Sequence, residues 1–148
     1  MIKPIRIALV GLLVAGCGDS TTASASANFS GTWAGTFGTG SVSTVTWTAT
    51  QSGTTVTGPA VVVVSGGLVQ FTGTISGTTT ADQLALTISV PAGAIALVPG
   101  CSISGTGTST VATATSIVAT IATTFSSACL GTVTTQSTAS AQLALSKH

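Results

Sequence analysis

Thr44-Val45-Thr46-Trp47-Thr48-Ala49-Thr50-Gln51 decides the fold of this chain, because apolar and hydroxyl side chains alternate through it without a break. Successive side chains of an extended strand point to opposite faces. Val45, Trp47 and Ala49 therefore share one side, and Thr44, Thr46, Thr48 and Thr50 share the other, as in a half-buried strand. No helical spacing would bring Val45, Trp47 and Ala49 together.

The same period recurs along the chain. Val69, Phe71, Gly73 and Ile75 oppose Gln70, Thr72 and Thr74, while Leu84, Leu86, Ile88 and Val90 oppose Gln83, Ala85, Thr87 and Ser89. Ala139, Ala141, Leu143 and Leu145 oppose Ser140, Gln142, Ala144 and Ser146. Ser52-Gly53, Ser65-Gly66-Gly67 and Ser76-Gly77 read as short Gly-containing turns suited to hairpins. Runs at 31–38, 42–51, 54–64, 68–77, 82–90, 101–113, 116–125 and 137–146 predict about eight strands, with longer connections only at 91–100 and 126–136.

A meander of that length hides its edges best by closing on itself. The expected fold class is therefore all-β, an antiparallel up-and-down meander closed into an eight-stranded barrel. A β-sandwich is the alternative, since the two longer connections could cross between sheets. Val61-Val62-Val63-Val64 breaks the alternation. It is expected to be covered on both faces or to be an aggregation hazard, with Pro59 ahead of it as a gatekeeper or the mark of a bulge.

Upstream of the alternating region stands MIKPIRIALVGLLVAGC, residues 1–17. Lys3 and Arg6 give a positive start, and residues 5–15 form an apolar stretch of about 11 residues, which fits a signal peptide and falls short of the ~20 of a spanning helix. Leu13-Val14-Ala15-Gly16-Cys17 resembles the lipobox of bacterial lipoproteins. That resemblance implies export, cleavage before Cys17, a diacylglycerol group on its thiol and attachment to the cell envelope through acyl chains. Two or three chains anchor stably at about 0.8 kcal/mol per buried CH2. Gly18 follows Cys17 where an Asp would favour the inner membrane, which implies the outer membrane in a bacterium that has two.

The organisation expected is a signal peptide at 1–16, a flexible tether at 17–27 built from the small polar run GDSTTASASA, and one β-barrel domain at 28–148. About 132 residues after cleavage suit a single domain.

Only 3% of the chain is charged, against about 25% in an ordinary soluble domain. Beyond residue 16, and thiols aside, the ionisable side chains are Asp19, Asp82, Lys147 and His148. So few cations cannot neutralise phosphates, which argues against nucleic acid as a partner and against a polybasic grip on anionic lipid. Acid-base catalysis needs titratable groups placed together. Asp82 stands alone, and Lys147 and His148 occupy a terminus expected to fray. Serines are abundant, but none has a histidine positioned to take its proton. Metal ligation lacks donors at usable spacing, and Gly105 and Gly107 are not followed by a Gly-Lys-Ser/Thr phosphate loop. No enzyme activity, cofactor or metal is expected.

With Cys17 assigned to lipid, Cys101 and Cys129 form an even pair in an oxidising compartment and are expected to be bridged. The bridge would close a loop of about 28 residues, for which chain entropy gives roughly 3.5 kcal/mol.

Trp33 shares parity with Phe37, Trp47 with Val45, and Phe71 with Val69 and Ile75, so all read as core fillers. Trp33, Trp47 and Phe71 are also the candidates for stacking on a small molecule if the barrel keeps a cavity.

Gly31-Thr32-Trp33 resembles the G-x-W signature near the start of lipocalins and the related avidin-type barrels. In lipocalins the tryptophan closes the barrel base against an arginine of the last strand; here no arginine follows Arg6, and Lys147 is the cation near the end. A looser similarity is to the Thr/Gly-rich β-domains of bacterial secreted lipoproteins. It lies in Gly31-Thr32-Trp33-Ala34-Gly35 and Gln51-Ser52-Gly53-Thr54-Thr55-Val56-Thr57-Gly58. The function expected is that of a non-catalytic, lipid-anchored envelope protein with a structural or interaction role. The alternative is lipocalin-like binding of a small apolar ligand inside the barrel. A filled interior favours the first; an open apolar cavity of about 300 Å3 or more favours the second.

Overall fold

The computed structural model describes residues 27–38, 43–64, 66–67, 69–80, 83–130 and 137–148. Cys17, the expected signal peptide, all of the expected tether but Ala27, Asp19 and Asp82 lie outside the described residues.

Eight strands run in chain order: β1 Gly31–Gly38, β2 Ser43–Ser52, β3 Thr55–Val63, β4 Gln70–Thr80, β5 Gln83–Val90, β6 Ile103–Ala112, β7 Ser116–Phe125 and β8 Ser137–Lys147, with a 3₁₀ turn at Ser127–Leu130. Each pairs antiparallel with its sequence neighbours, and β1 pairs with β8 from Trp33↔Lys147 to Gly38↔Gln142. The sheet is a closed up-and-down barrel with no free edge, so the sandwich alternative does not apply.

The alternation read in the sequence becomes an inside and an outside. Val45, Trp47 and Ala49 are buried, as are Leu84, Leu86, Ile88 and Val90, and on β8 Ala141, Leu143 and Leu145. Thr44, Thr46, Thr48 and Thr50 face solvent. Apolar within and hydroxyl without is the reverse of a transmembrane barrel, whose outer band meets lipid. Buried hydroxyls bond the backbone: Thr123 Oγ1 donates to the Ala139 carbonyl at 2.8 Å, and Ser109 Oγ accepts the Leu84 N–H at 2.8 Å. Ser109 sits beside the register shift in β6, which falls between Ser109 and Val111.

One local expectation is corrected and two are narrowed to their remaining alternative. Ser76-Gly77 is not a turn but lies inside β4, which runs on to Thr80 before β5 begins at Gln83. Gly77 is buried, and a Cβ there would meet Leu84 Cδ1 at 2.8 Å and the Ala85 oxygen at 2.9 Å, so this glycine serves close strand approach. The four-valine run is not covered on both faces: Val62 is buried inside while Val61, Val63 and Val64 are half-buried. Pro59 marks no bulge, because the β2–β3 register is the same on both sides of it. The ladder lapses there between Trp47↔Ala60 and Thr50↔Thr57, as a residue without an N–H requires.

The two ends of the barrel differ. One end carries the short connections 53–54, 81–82 and 113–115. It is stopped by Trp33 and Trp47, each 0% exposed, and by Phe29. The Phe29 N–H donates to Gln51 Oε1, and its carbonyl accepts the Trp33 indole N–H at 2.8 Å. The opposite end carries the long connections, including 91–102 and 126–136.

Candidate functional site

At that opposite end the barrel opens into a cavity of about 530 Å3. Its walls are strand ends: Phe37 of β1, Val62 of β3, Phe71 of β4, Ile103 of β6 and Phe125 of β7, with Ala139 and Ala141 completing the ring from β8. The parity that buries Val45 and Trp47 lower in the barrel also turns these side chains inward, but here no layer lies above them. Ile95, Val98 and Cys101 reach over from the 91–102 loop.

That loop is held by its own backbone and by a covalent tie. Gly93 N–H donates to the Pro99 carbonyl at 2.6 Å, and Val98 N–H to the Ile95 carbonyl at 3.1 Å. Val90, Ile95 and Cys101 form a small buried cluster apart from the main core, with Phe71, Val98 and Ile103 packed on it. Cys101 is disulfide-bonded to Cys129 in the 3₁₀ turn after β7, as expected from the sequence. Ser126 N–H donates to the Ser102 carbonyl at 3.0 Å beside it.

Below the mouth the barrel is nearly full. A gap of about 30 Å3 remains among Val45, Ala60, Ile75, Ile88 and Leu143, sharing Phe37, Val62, Phe71 and Ile103 with the cavity above. Hydrocarbon lines most of it, and it has room for only a few waters. The mouth is thus a wide shallow cup on a packed floor.

Of the three aromatic candidates, the structure brings only Phe71 to the cup. Trp33 and Trp47 pair across β1 and β2 at the closed end and do not line it. Trp47 Nε1 is buried with no hydrogen-bond partner among the described residues. Phe37 and Phe125 line the cup beside Phe71. Phe37 carried a sequence signal in its parity with Trp33; Phe125, Ile95 and Val98 carried none, because their role depends on which strand ends meet.

The cup is lined without a charge. Among the described residues the ionisable side chains other than the disulfide are Lys147 and His148, and both lie at the closed end, where His148 N–H donates to the Thr32 carbonyl. The polar side chains at the cup are hydroxyls, Ser43, Thr123 and Ser140. Such a surface can hold hydrocarbon and orient a single polar group; it offers no nucleophile paired with a base. A second, shallower concavity of about 480 Å3 lies on the outer wall of β3 to β6, lined mainly by Thr and Ser. Its lining mixes those hydroxyls with Gly77, Ala85, Leu86 and Gly107.

The barrel is compatible with a lipocalin- or avidin-type domain in strand number and connectivity. Comparison with protein-family models, curated proteins and solved structures gives no match to this chain.

Proposed function

We propose that this is a non-catalytic, exported cell-envelope protein, anchored by acyl chains on Cys17, whose barrel mouth holds a small, uncharged, apolar molecule in the manner of lipocalins. The observation that carries the reading is the open cup of about 530 Å3 walled by Phe37, Phe71, Phe125, Val62 and Ile103, inside the range of roughly 300–1,000 Å3 of small-molecule pockets. Its uncharged lining selects against ionic ligands, because a charge placed there would lose hydration and find no partner. The Trp33 base with a cation from the last strand supports the lipocalin-like likeness.

A purely structural or interaction role is the second reading, favoured by the packed floor of Trp33, Trp47 and Leu143. Native mass spectrometry of the mature protein released from envelopes in mild detergent separates the two. A retained mass removable by organic solvent is expected; a spectrum with only the acylated chain would favour the structural role. The anchor has its own test, since Cys17→Ser should abolish lipid labelling and leave an unprocessed precursor. Unchanged labelling and processing would overturn it.

A further inference from the structure

Residues 91–100 read PAGAIALVPG, a loop without one polar side chain. It stands at the rim of the cup. Ile95 and Val98 turn into the cavity, while Leu97 points away from it and is 73% exposed. Pro91, Ala92, Ala96 and Pro99 are exposed beside it. Leu97 is the most exposed large apolar side chain among the described residues, and its place on an all-apolar rim beside an apolar mouth marks the loop as a contact surface.

We propose that this loop is a lip that inserts into the surface of a lipid bilayer, so that the mouth opens onto lipid and its ligand is a membrane lipid or a molecule dissolved among lipids. The inference rests on the anchored, ligand-holding reading above and extends it to where the ligand comes from.

Three observations favour lipid over a protein partner. First, a protein interface carries about one hydrogen bond per 100–200 Å2, and this loop has no side-chain donor or acceptor to contribute. Second, its backbone is partly withdrawn from such bonding. Pro91 and Pro99 have no N–H, and the N–H groups of Gly93, Ala94 and Val98 are bonded within the loop, which suits shallow insertion at the headgroup boundary, where water reaches the remaining amides. Third, the lip is preformed: Cys101 is tied to Cys129 at its base, so little ordering is needed on insertion.

Reach is sufficient as well. The described chain begins at the closed end, where Ala27 packs on the core, so the segment that leads back to Cys17 joins the barrel at the end opposite the lip. A strand of this length tilted in a barrel rises about 25 Å. The chain from Cys17 to Ala27 can extend about 35 Å. Acyl chains and lip can therefore reach the same bilayer.

The test uses the mature protein on phosphatidylcholine vesicles whose acyl chains carry bromine, a short-range quencher of indole fluorescence. Trp33 and Trp47 are fully buried, so a tryptophan added at an exposed site reports its own contact with lipid. Leu97→Trp places one on the lip, and Ala114→Trp places one on the exposed 113–115 turn at the closed end. Quenching about twofold or more at Leu97→Trp, with little at Ala114→Trp and no change on adding salt, is expected because no charge steers the contact. Equal quenching, the reverse order, or none at either site would overturn the lip, and the last would leave a protein partner as its occupant. Flotation reports the anchor separately. Protein that floats without quenching at position 97 keeps the anchor and loses the lip; protein that does not float overturns both.

Discussion

Lys147 Nζ lies 5.7 Å from the centre of the Trp33 ring and donates a hydrogen bond to the Asn28 carbonyl at 3.1 Å. The last strand thus clamps the first, and the segment before it, through one side chain. Gly31 makes room for this: a Cβ there would meet Lys147 Cε at 2.8 Å.

Lys147→Ala should lower the unfolding free energy by about 1–2 kcal/mol, from the lost cation-π contact and hydrogen bond. Lys147→Arg should restore most of it. Urea denaturation followed by tryptophan fluorescence measures both. Equal losses in the two variants would show that the cation is irrelevant.

Trp33 and Trp47 face each other in the β1–β2 register, are equally buried, and differ in one respect. The Trp33 indole N–H is bonded to the Phe29 carbonyl and the Trp47 indole N–H to nothing among the described residues. Trp33→Ala should cost about 3–5 kcal/mol. The sharper comparison is Trp33→Phe with Trp47→Phe. The first also strands a carbonyl, and the second relieves an unsatisfied donor, a difference of about 1–3 kcal/mol. Equal thermal midpoints for the two Phe variants would refute the hydrogen-bond assignment.

Replacing Cys101 and Cys129 together by Ser should cost about 2–5 kcal/mol, the usual range for a small secreted domain. Proteolysis should then cut first within residues 91–102, because the base of the loop has lost its covalent tie. Free thiol detected at both positions in the oxidised protein would remove the basis for this expectation.

Gly58 faces inward on β3, where a Cβ would collide with the Thr48 carbonyl oxygen of β2. Backbone cannot retreat as a side-chain tip can, so Gly58→Ala should cost about 1–3 kcal/mol or more. Gly53 has φ 60° in the β2–β3 turn with nothing within 4 Å. Gly53→Ala should cost only the left-handed penalty, about 1–2 kcal/mol. Calorimetric melting of the two variants checks the order.

The strands were legible because burial on one face forces a period of two, and Val45, Trp47, Leu84, Leu86, Leu143 and Leu145 obey it. The disulfide was legible from parity of cysteine number. Ser76-Gly77 misled because glycine serves turns and close strand contacts alike, and only the neighbouring strand tells which. The cup was legible only in part, through Phe71 and the parity of Phe37 with Trp33. Phe37, Phe71 and Phe125 look in sequence like any other inward residue, and they line a cavity only because closure places them in the layer above the packed floor. Residues 91–100 have no period to read, so their apolar character gained meaning only once the loop was placed at the rim.

Ligand retention by the mouth is measured most directly by native mass spectrometry of three envelope-extracted proteins: the wild type, Val98→Glu and Thr87→Glu. Val98 lines the cup and Thr87 faces outward on β5, so both variants add one charge and only the first places it against the ligand. With folding verified by circular dichroism, a retained mass on the wild type and on Thr87→Glu, and its loss from Val98→Glu, is the expected result. A wild type that carries no retained molecule, or a Val98→Glu variant that retains the same mass, would show that the cup is not a binding site.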